Sequence, residues 1–351
     1  MIRMPARKAR GSRARLARAV LLLAGVALGL VLVWRTGWPA VQANLATIGW
    51  KFFGLVALYM AAEIAFVLGW RSVMEPRPPF SRVPHLLRIY LVGNTLNYLA
   101  PGSVAGEPVR ASMLRDRMTT SSAIASVAIF KHAHLLSQAF FVAVGLGVAV
   151  VYFDLSAAVR WTALASLVVL CGLLLLMTWG LRKGTFAPIV SFLSRFKLLA
   201  HHLERHREGA RHLDEVIRRF YFHKRHHFFS AAAWCLLGWC GGLLETYIVL
   251  RLLAPDRGWE TAFAAEALAM LLNNMFLFVP GRAGTAEGVR TAVFVLLGLP
   301  ATTGVAYGLV RRGRELVWVV PGLFLAAGRP AAKAEHETSG GSKVAGSGGA
   351  R

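Results

Sequence analysis

The chain has 351 residues, 56% of them hydrophobic and only 16% charged, and a mean hydropathy of +0.52. That composition excludes an ordinary soluble domain and indicates a polytopic membrane protein, with no room for a separate soluble enzyme. The formal net charge is +23, but the bases cluster beside apolar runs, which argues against nucleic acid and for membrane topology and anionic lipid.

Seven Lys/Arg fall in the first 18 residues, and Leu16–Val33 is then apolar. Ala40-Val-Gln-Ala43 resembles a signal-peptide cleavage site, yet the run is long for a signal core, so an uncleaved first span over 16–34 is expected. Trp50–Val73 is a second span, with Trp70 and Arg71 as interfacial anchors. A Pro-rich turn, Glu75 to Pro79, follows. Pro84–Ala100 is apolar but short: as a helix it covers about 25 Å of a hydrocarbon core of about 30 Å. It runs into Pro101-Gly102 and polar residues. Ser121–Phe130 is another short apolar piece ending at Lys131, and His134–Phe153 and Val159–Leu181 read as ordinary spans.

Between Arg182 and Arg225 lie eleven Lys/Arg and four Asp/Glu. Ile189, Leu193, Phe196, Ala200 and Leu203 keep helical spacing, as do Leu213, Val216, Ile217 and Phe220, which predicts basic amphipathic helices on the cytoplasmic surface. Phe228–Leu253 is the next span. Thr261–Val279 is short and apolar, Leu316–Ala327 completes the last span, and the tail from Gly328 is Ala/Gly/Ser-rich. Cys171, Cys235 and Cys240 stand within apolar stretches without metal spacing and read as free thiols.

One polar signature occurs twice. Asn94-x6-Pro101-Gly102-x4-Glu107-x-Val109-Arg110 returns as Asn273-x6-Pro280-Gly281-x5-Glu287-x-Val289-Arg290, and farther on Lys131 and His134 align with Arg311 and Arg314. Broken hydrophobic segments in matching halves point to a transport site. The basic segments place the N-terminus and 182–226 in the cytoplasm, so Trp50–Val73 and Phe228–Leu253, equivalent in the repeat, run in opposite directions. The expected fold is therefore all-α, with about six full spans plus two re-entrant helical hairpins, 84–131 and 261–311, in an inverted repeat. The first hairpin dips from the cytoplasmic side and the second from the other. The organisation reads as a basic N-terminus (1–15), a first membrane half (16–181), a basic amphipathic linker (182–226), a second half (227–327) and a disordered tail (328–351). Both termini are expected in the cytoplasm, and the membrane is expected to be a bacterial inner membrane.

Non-helical backbone at membrane depth survives only where protein or water satisfies its polar groups. Pro101, Gly102, Pro280 and Gly281 break the hairpins, and Asn94, Asn97, Asn273 and Asn274 can bond the freed groups. A central charge costs about 3 kcal/mol on insertion scales, so Glu107, Arg110, Lys131, Glu287, Arg290, Arg311, Arg314 and Glu315 are expected to pair and line a wet cavity. Excess Arg/Lys there suits an anion, with a lipid phosphate the obvious one. The spacing also allows local i,i+3 pairs, Glu107 with Arg110 and Glu287 with Arg290, that only pin the hairpins. Lys131, Arg311 and Arg314 exceed the nearby carboxylates and are the stronger ligand candidates, the alternative being that each snorkels to the interface. Glu63 and Glu245 are carboxylates within spans, at nearly equivalent positions. His132 and His134 fit proton relays or packed rings. His202-x3-His206 has metal-compatible spacing but no supporting frame, so neither metal nor cofactor is expected. Nucleophile-elbow, phosphate-loop, dinucleotide and zinc-protease patterns are not found.

At these motifs the chain resembles the lysylphosphatidylglycerol synthase transmembrane (flippase-like) family. The first family motif is similar to Asn94–Arg110. The second, usually Pro-Gly-Gly-x-Gly followed by Glu, is similar to Pro280-Gly-Arg-Ala-Gly284-Thr-Ala-Glu287, with Arg282 replacing the second Gly, and a later basic residue is similar to Arg311/Arg312. The resemblance implies a multi-span inner-membrane protein that moves or binds lipids. The soluble aminoacyl-transferase domain of the full synthases is missing, so no enzymatic activity is expected. The expected function is translocation of a lipid with an anionic or aminoacylated headgroup, bound by Asn94, Glu107, Arg110, Lys131, His134, Asn273, Arg282, Glu287, Arg290, Arg311 and Arg314. Its expected partners are membrane lipid and, through 182–226, an anionic phospholipid surface. A second copy of the chain or a lipid-biosynthesis enzyme are candidate protein partners. The alternatives are a membrane-embedded enzyme or accessory subunit of lipid or polysaccharide synthesis, using Glu107 or His134 as acid/base, and a small-solute transporter.

Overall fold

The computed structural model describes residues 38–100, 105–115, 117–184, 207–276, 279, 282 and 284–327. All regular elements among them are helical: α1 (Trp38–Ile48), α2 (Lys51–Ser72), a 3-10 turn (Phe80–Arg82), α3 (Val83–Leu99), α4 (Gly106–Met113), α5 (Thr120–Tyr152), α6 (Ala157–Lys183), α7 (Arg207–His223), α8 (Arg225–Leu253), α9 (Trp259–Met275), α10 (Thr285–Leu296) and α11 (Ala301–Ala327). The expected span over 16–34, the 189–203 amphipathic stretch, His202, His206 and the tail lie outside the described residues, as do Pro101, Gly102, Pro280 and Gly281.

Local chemistry sets the ends. Thr119 and Ser156 cap α5 and α6, their hydroxyls accepting from the N–H groups of Ser122 and Val159. Ala100, directly before Pro101, is extended and stops α3, as a residue preceding proline tends to. Each half thus holds a 17-residue helix, a break and a short helix, α3–α4 and α9–α10.

Two expectations need correction. Ser121–Phe130 and His134–Phe153 are one 33-residue helix, α5. Lys131 and His134 lower the local hydropathy, but no Gly or Pro interrupts the helix between them. Likewise α11 runs unbroken through Arg311, Arg312, Arg314 and Glu315 to Ala327. Among the described residues α2, α5, α6 and α8 are long and apolar enough to cross a membrane. α6 exposes Trp161, Val168, Leu173, Leu175 and Leu176, a face suited to lipid tails.

The two halves embrace. α2 packs on α8, and small residues set the approach. A Cβ on Gly69 would lie 3.1 Å from the carbonyl oxygen of Ala231, one on Gly238 would lie 2.6 Å from the Phe66 ring, and one on Gly241 would lie 2.9 Å from Ala62. Advancing along α2 from residue 62 to 69 means retreating along α8 from 241 to 231, so the repeat-related helices are antiparallel. The remaining packing is reciprocal: α5 lies on α9, and α11 lies on α3.

Two hydrophobic cores result. One gathers Leu55, Phe141, Leu146, Val249, Leu268, Val293 and Tyr307. The other gathers Phe66, Trp70, Ile89, Phe130, Ile217, Phe228 and Cys235. Along α2, Glu63 falls between them, as do His134 along α5 and Glu245 along α8. The polar residues therefore form a layer between two apolar ones.

α7 is amphipathic as its spacing predicts, but its apolar stripe does not face lipid. Leu213, Ile217 and Phe220 are buried against α5 and α6. Covering those two helices removes more apolar area than resting on a headgroup surface would.

Candidate functional site

The α3–α4 crossing is built on glycines. A Cβ on Gly106 would stand 2.0 Å from the Gly93 carbonyl oxygen, and one on Gly93 would stand 2.3 Å from Nε of Arg110. With hydrogen at both positions the short helix lies directly on α3, and the Arg110 stem passes over Gly93. Gly106 N–H donates to Oδ1 of Asn97 (2.6 Å), while Nδ2 of Asn97 donates to Glu107 (3.2 Å). Asn97 therefore closes the break by bonding both the start of α4 and its first carboxylate.

Arg110 is 4% exposed. Its Nη2 donates to Oδ1 of Asn94 (2.5 Å) and to the Tyr90 carbonyl (3.3 Å), its guanidinium lies 4.1 Å from the Tyr90 ring centroid, and Nε has no partner among the described residues. Nδ2 of Asn94 donates in turn to Glu63 (3.0 Å), which Tyr59 also bonds. Among the described residues no carboxylate stands within ion-pair distance of Arg110, and the local pair with Glu107 does not form. Glu107 is instead taken by Lys131 (3.1 Å).

In the second half α10 packs on α11 through Gly304 and Gly308. A Cβ on Gly304 would reach within 2.7 Å of the Thr291 Cα, and one on Gly308 within 3.2 Å of the Glu287 Cα. This Gly-x3-Gly step is visible in the sequence and is a motif the sequence reading passes over. Glu287 pairs with Arg312 (2.6 Å), not with Arg290. Arg312 also donates to the Arg282 carbonyl (3.0 Å) and to the hydroxyl of Tyr98, so it ties the second break to the end of α3.

Arg290 is 8% exposed. Its Nη1 reaches only the Ala286 carbonyl of its own helix (3.3 Å), its Nε is unpartnered, and no carboxylate lies within ion-pair distance among the described residues. At the repeat position of Asn94, Oδ1 of buried Asn273 also has no partner among the described residues.

The cations expected to be in excess are in fact matched. Arg311 donates to both oxygens of Glu266 (2.8 and 2.6 Å) and lies 3.8 Å from Glu245. Arg314 is bonded to Glu245 and stacks 3.9 Å over the Tyr59 ring. Lys131 has Glu107. The sequence reading leaves out Glu266, the partner that makes the difference. It also leaves out Thr246 and Tyr307: Thr246 bonds Glu266 (2.9 Å) and the Tyr307 hydroxyl (2.7 Å). One polar chain therefore runs from Arg110 through Asn94, Glu63, Tyr59, Arg314 and Glu245 to Arg311 and Glu266. It crosses from one half to the other where Arg314 of α11 stacks on Tyr59 of α2.

His134 joins this layer as a ring, not a relay. It sits 4.9 Å from Phe66 and 4.8 Å from Trp239, and Nδ1 has no partner. His132 lies elsewhere, between Tyr221 (2.6 Å) and Thr178 (2.8 Å). No group of three or more His, Cys, Asp or Glu able to hold a metal occurs among the described residues.

Comparison with known proteins rests on this geometry. The family model for the lysylphosphatidylglycerol synthase TM region matches residues 21–322. The chain belongs to this family. A UPF0104 membrane protein of Methanothermobacter thermautotrophicus is similar at 24% identity over 252 residues, covering 69% of this chain and 74% of that protein. No solved structure matches. Family membership, together with the four apolar helices, makes this a multi-pass membrane protein. The departure at Arg282 now has a physical meaning. Its φ is +46°, the left-handed region where glycine rests without strain. Its carbonyl points to Arg312 (3.0 Å), so the glycine of the usual family motif stands where the turn requires one.

Proposed function

We propose that this protein carries a lipid with an anionic headgroup across the membrane, and that Arg110 and Arg290 bind the headgroup in turn. One observation carries the reading. Two repeat-related arginines are buried in the polar layer, and no carboxylate faces either one at ion-pair distance among the described residues. An unpaired buried charge is costly, and a lipid phosphate supplies the missing anion with bidentate geometry suited to guanidinium. The aliphatic chains stay in the bilayer while the headgroup uses the polar layer.

The α3–α4 and α9–α10 units serve as re-entrant hairpins in this reading, entered from opposite leaflets, with both chain termini in the cytoplasm of a bacterial inner membrane. Antiparallel α2 and α8 support that inversion. Labelling of cysteines placed at Ser103 and Arg282 from the same face would refute it. A carrier is favoured over an acid–base enzyme because Glu107 is engaged by Lys131 and Asn97, and His134 is packed among rings.

Proteoliposomes test the proposal. With headgroup-labelled phosphatidylglycerol the wild type accelerates exchange between leaflets. Arg110→Gln and Arg290→Gln each slow it, by roughly tenfold if one charge-assisted contact is lost. No acceleration for any native lipid class would remove the idea.

A further inference from the structure

We propose a second lipid site, separate from the polar layer, in the groove where α5, α6, α7 and α8 meet, and its occupant is an anionic phospholipid. The groove encloses about 570 Å³, within the ~300–1,000 Å³ of ordinary ligand sites. Its side walls are Phe222 and Phe229, which are 72% and 64% exposed. Large aromatic faces left open beside apolar helices suit an acyl chain better than water. α5, α6 and α8 are all candidate spans, so the groove runs from the α7–α8 turn toward hydrocarbon.

The headgroup end is basic. Arg225, the first residue of α8, lines the mouth and is exposed, with no ion-pair partner among the described residues. Lys224, which pairs with Glu75, and His226 flank it in sequence, and among the described residues no Asp or Glu lines the groove. This charge complementarity selects a phosphate-bearing lipid over a zwitterionic one. The back wall is fixed: His132 is held on one side by Tyr221 (2.6 Å) and on the other by Thr178 (2.8 Å), which locks α5 to α6 and α7 and keeps the groove preformed. A preformed site loses less ordering entropy on binding. The site lies outside the Arg110–Glu266 chain, so it holds a lipid that stays bound and is not carried.

Native mass spectrometry provides the test. The full chain is equilibrated with mixed phosphatidylglycerol and phosphatidylcholine vesicles, extracted in mild detergent, and its retained lipid counted. Wild type keeps phosphatidylglycerol in preference. Arg225→Gln lowers that preference roughly tenfold, and Leu136→Trp, which fills the groove, removes the groove lipid and leaves only what the polar layer holds. Arg225→Gln lowers the preference by a similar factor when added to the Arg110→Gln/Arg290→Gln background, where the polar layer no longer holds an anionic headgroup. Undiminished phosphatidylglycerol in both groove variants overturns the proposal. So does loss in the Arg110/Arg290 variant without loss in Arg225→Gln, which would assign the lipid to the polar layer.

Discussion

Replacing Glu245 by Gln isolates the energetics of the polar layer. Glu245 is 1% exposed and is the only carboxylate within ion-pair distance of Arg314, itself 3% exposed, among the described residues. Gln keeps the shape and one acceptor oxygen but removes the charge. Arg311 is little affected, because Glu266 holds it at 2.6 Å against 3.8 Å to Glu245. The loss therefore falls on Arg314, left buried without an ion-pair partner among the described residues. Breaking a buried pair in this way costs about 3–5 kcal/mol, and the retained oxygen puts Gln near the lower end. Taken against a total stability of roughly 5–15 kcal/mol, that is a large share. The apparent melting midpoint in detergent, followed by tryptophan fluorescence, should drop by roughly 5–10 °C. Adding Arg314→Met should recover most of the drop, because an apolar residue of similar volume replaces a buried charge at little net cost. The exposed Asp154–Arg160 pair serves as a control, and Asp154→Asn should leave the midpoint unchanged. A Glu245→Gln protein as stable as wild type, or a double variant weaker than the single one, would refute the reasoning.

Two further outcomes follow from the backbone. Gly106→Ala places a methyl 2.0 Å from the Gly93 carbonyl, so α4 must lift from α3; stability and exchange activity should both fall, whereas Gly54→Ala, with nothing within 4 Å of the added methyl, should raise the midpoint slightly, by about 0.5–1 kcal/mol. Arg282→Gly relieves a left-handed φ and should stabilise the chain by about 1–2 kcal/mol, read as a higher melting midpoint.

Local signals were legible in the sequence, and long-range partnerships were not. Trp50–Val73 and Lys51–Ser72 differ by a residue at each end, because an apolar run flanked by aromatic and basic anchors announces itself. The break after Leu99 was equally plain from Pro101-Gly102, whereas the second helix ends at Met275, four residues before the expected Val279. Hydropathy misled where charge occurred without a helix breaker, as at Lys131 in α5 and Arg311 to Glu315 in α11. Glu266 escaped notice because it sits inside an apolar window, and only the packing of α9 beside α11 brings it to Arg311. Aligning the repeats set Arg311 opposite Lys131, yet the residue that meets Glu287, as Lys131 meets Glu107, is Arg312. One position on a helix turns a side chain by about 100°, and a repeat with a one-residue gap cannot resolve that.

Chemically alike halves hold their arginines differently. Oδ1 of Asn94 accepts from Arg110 at 2.5 Å, while among the described residues Oδ1 of Asn273 has no partner and Arg290 falls back on its own helix. Sequence cannot account for this, since both asparagines and both arginines are present. A carrier that opened both mouths at once would leak, so an inverted repeat must place its halves in unlike states and exchange them. Under the translocation reading, the reverse state has Asn273 bonded to Arg290 and Asn94 released from Arg110. Asn94 also donates to Glu63, which lies within the fields of both Arg110 and Arg314. Releasing Asn94 therefore changes the surroundings of a carboxylate at the α2–α8 contact, where the two halves touch, and gives each half a physical means of sensing whether the other is bound.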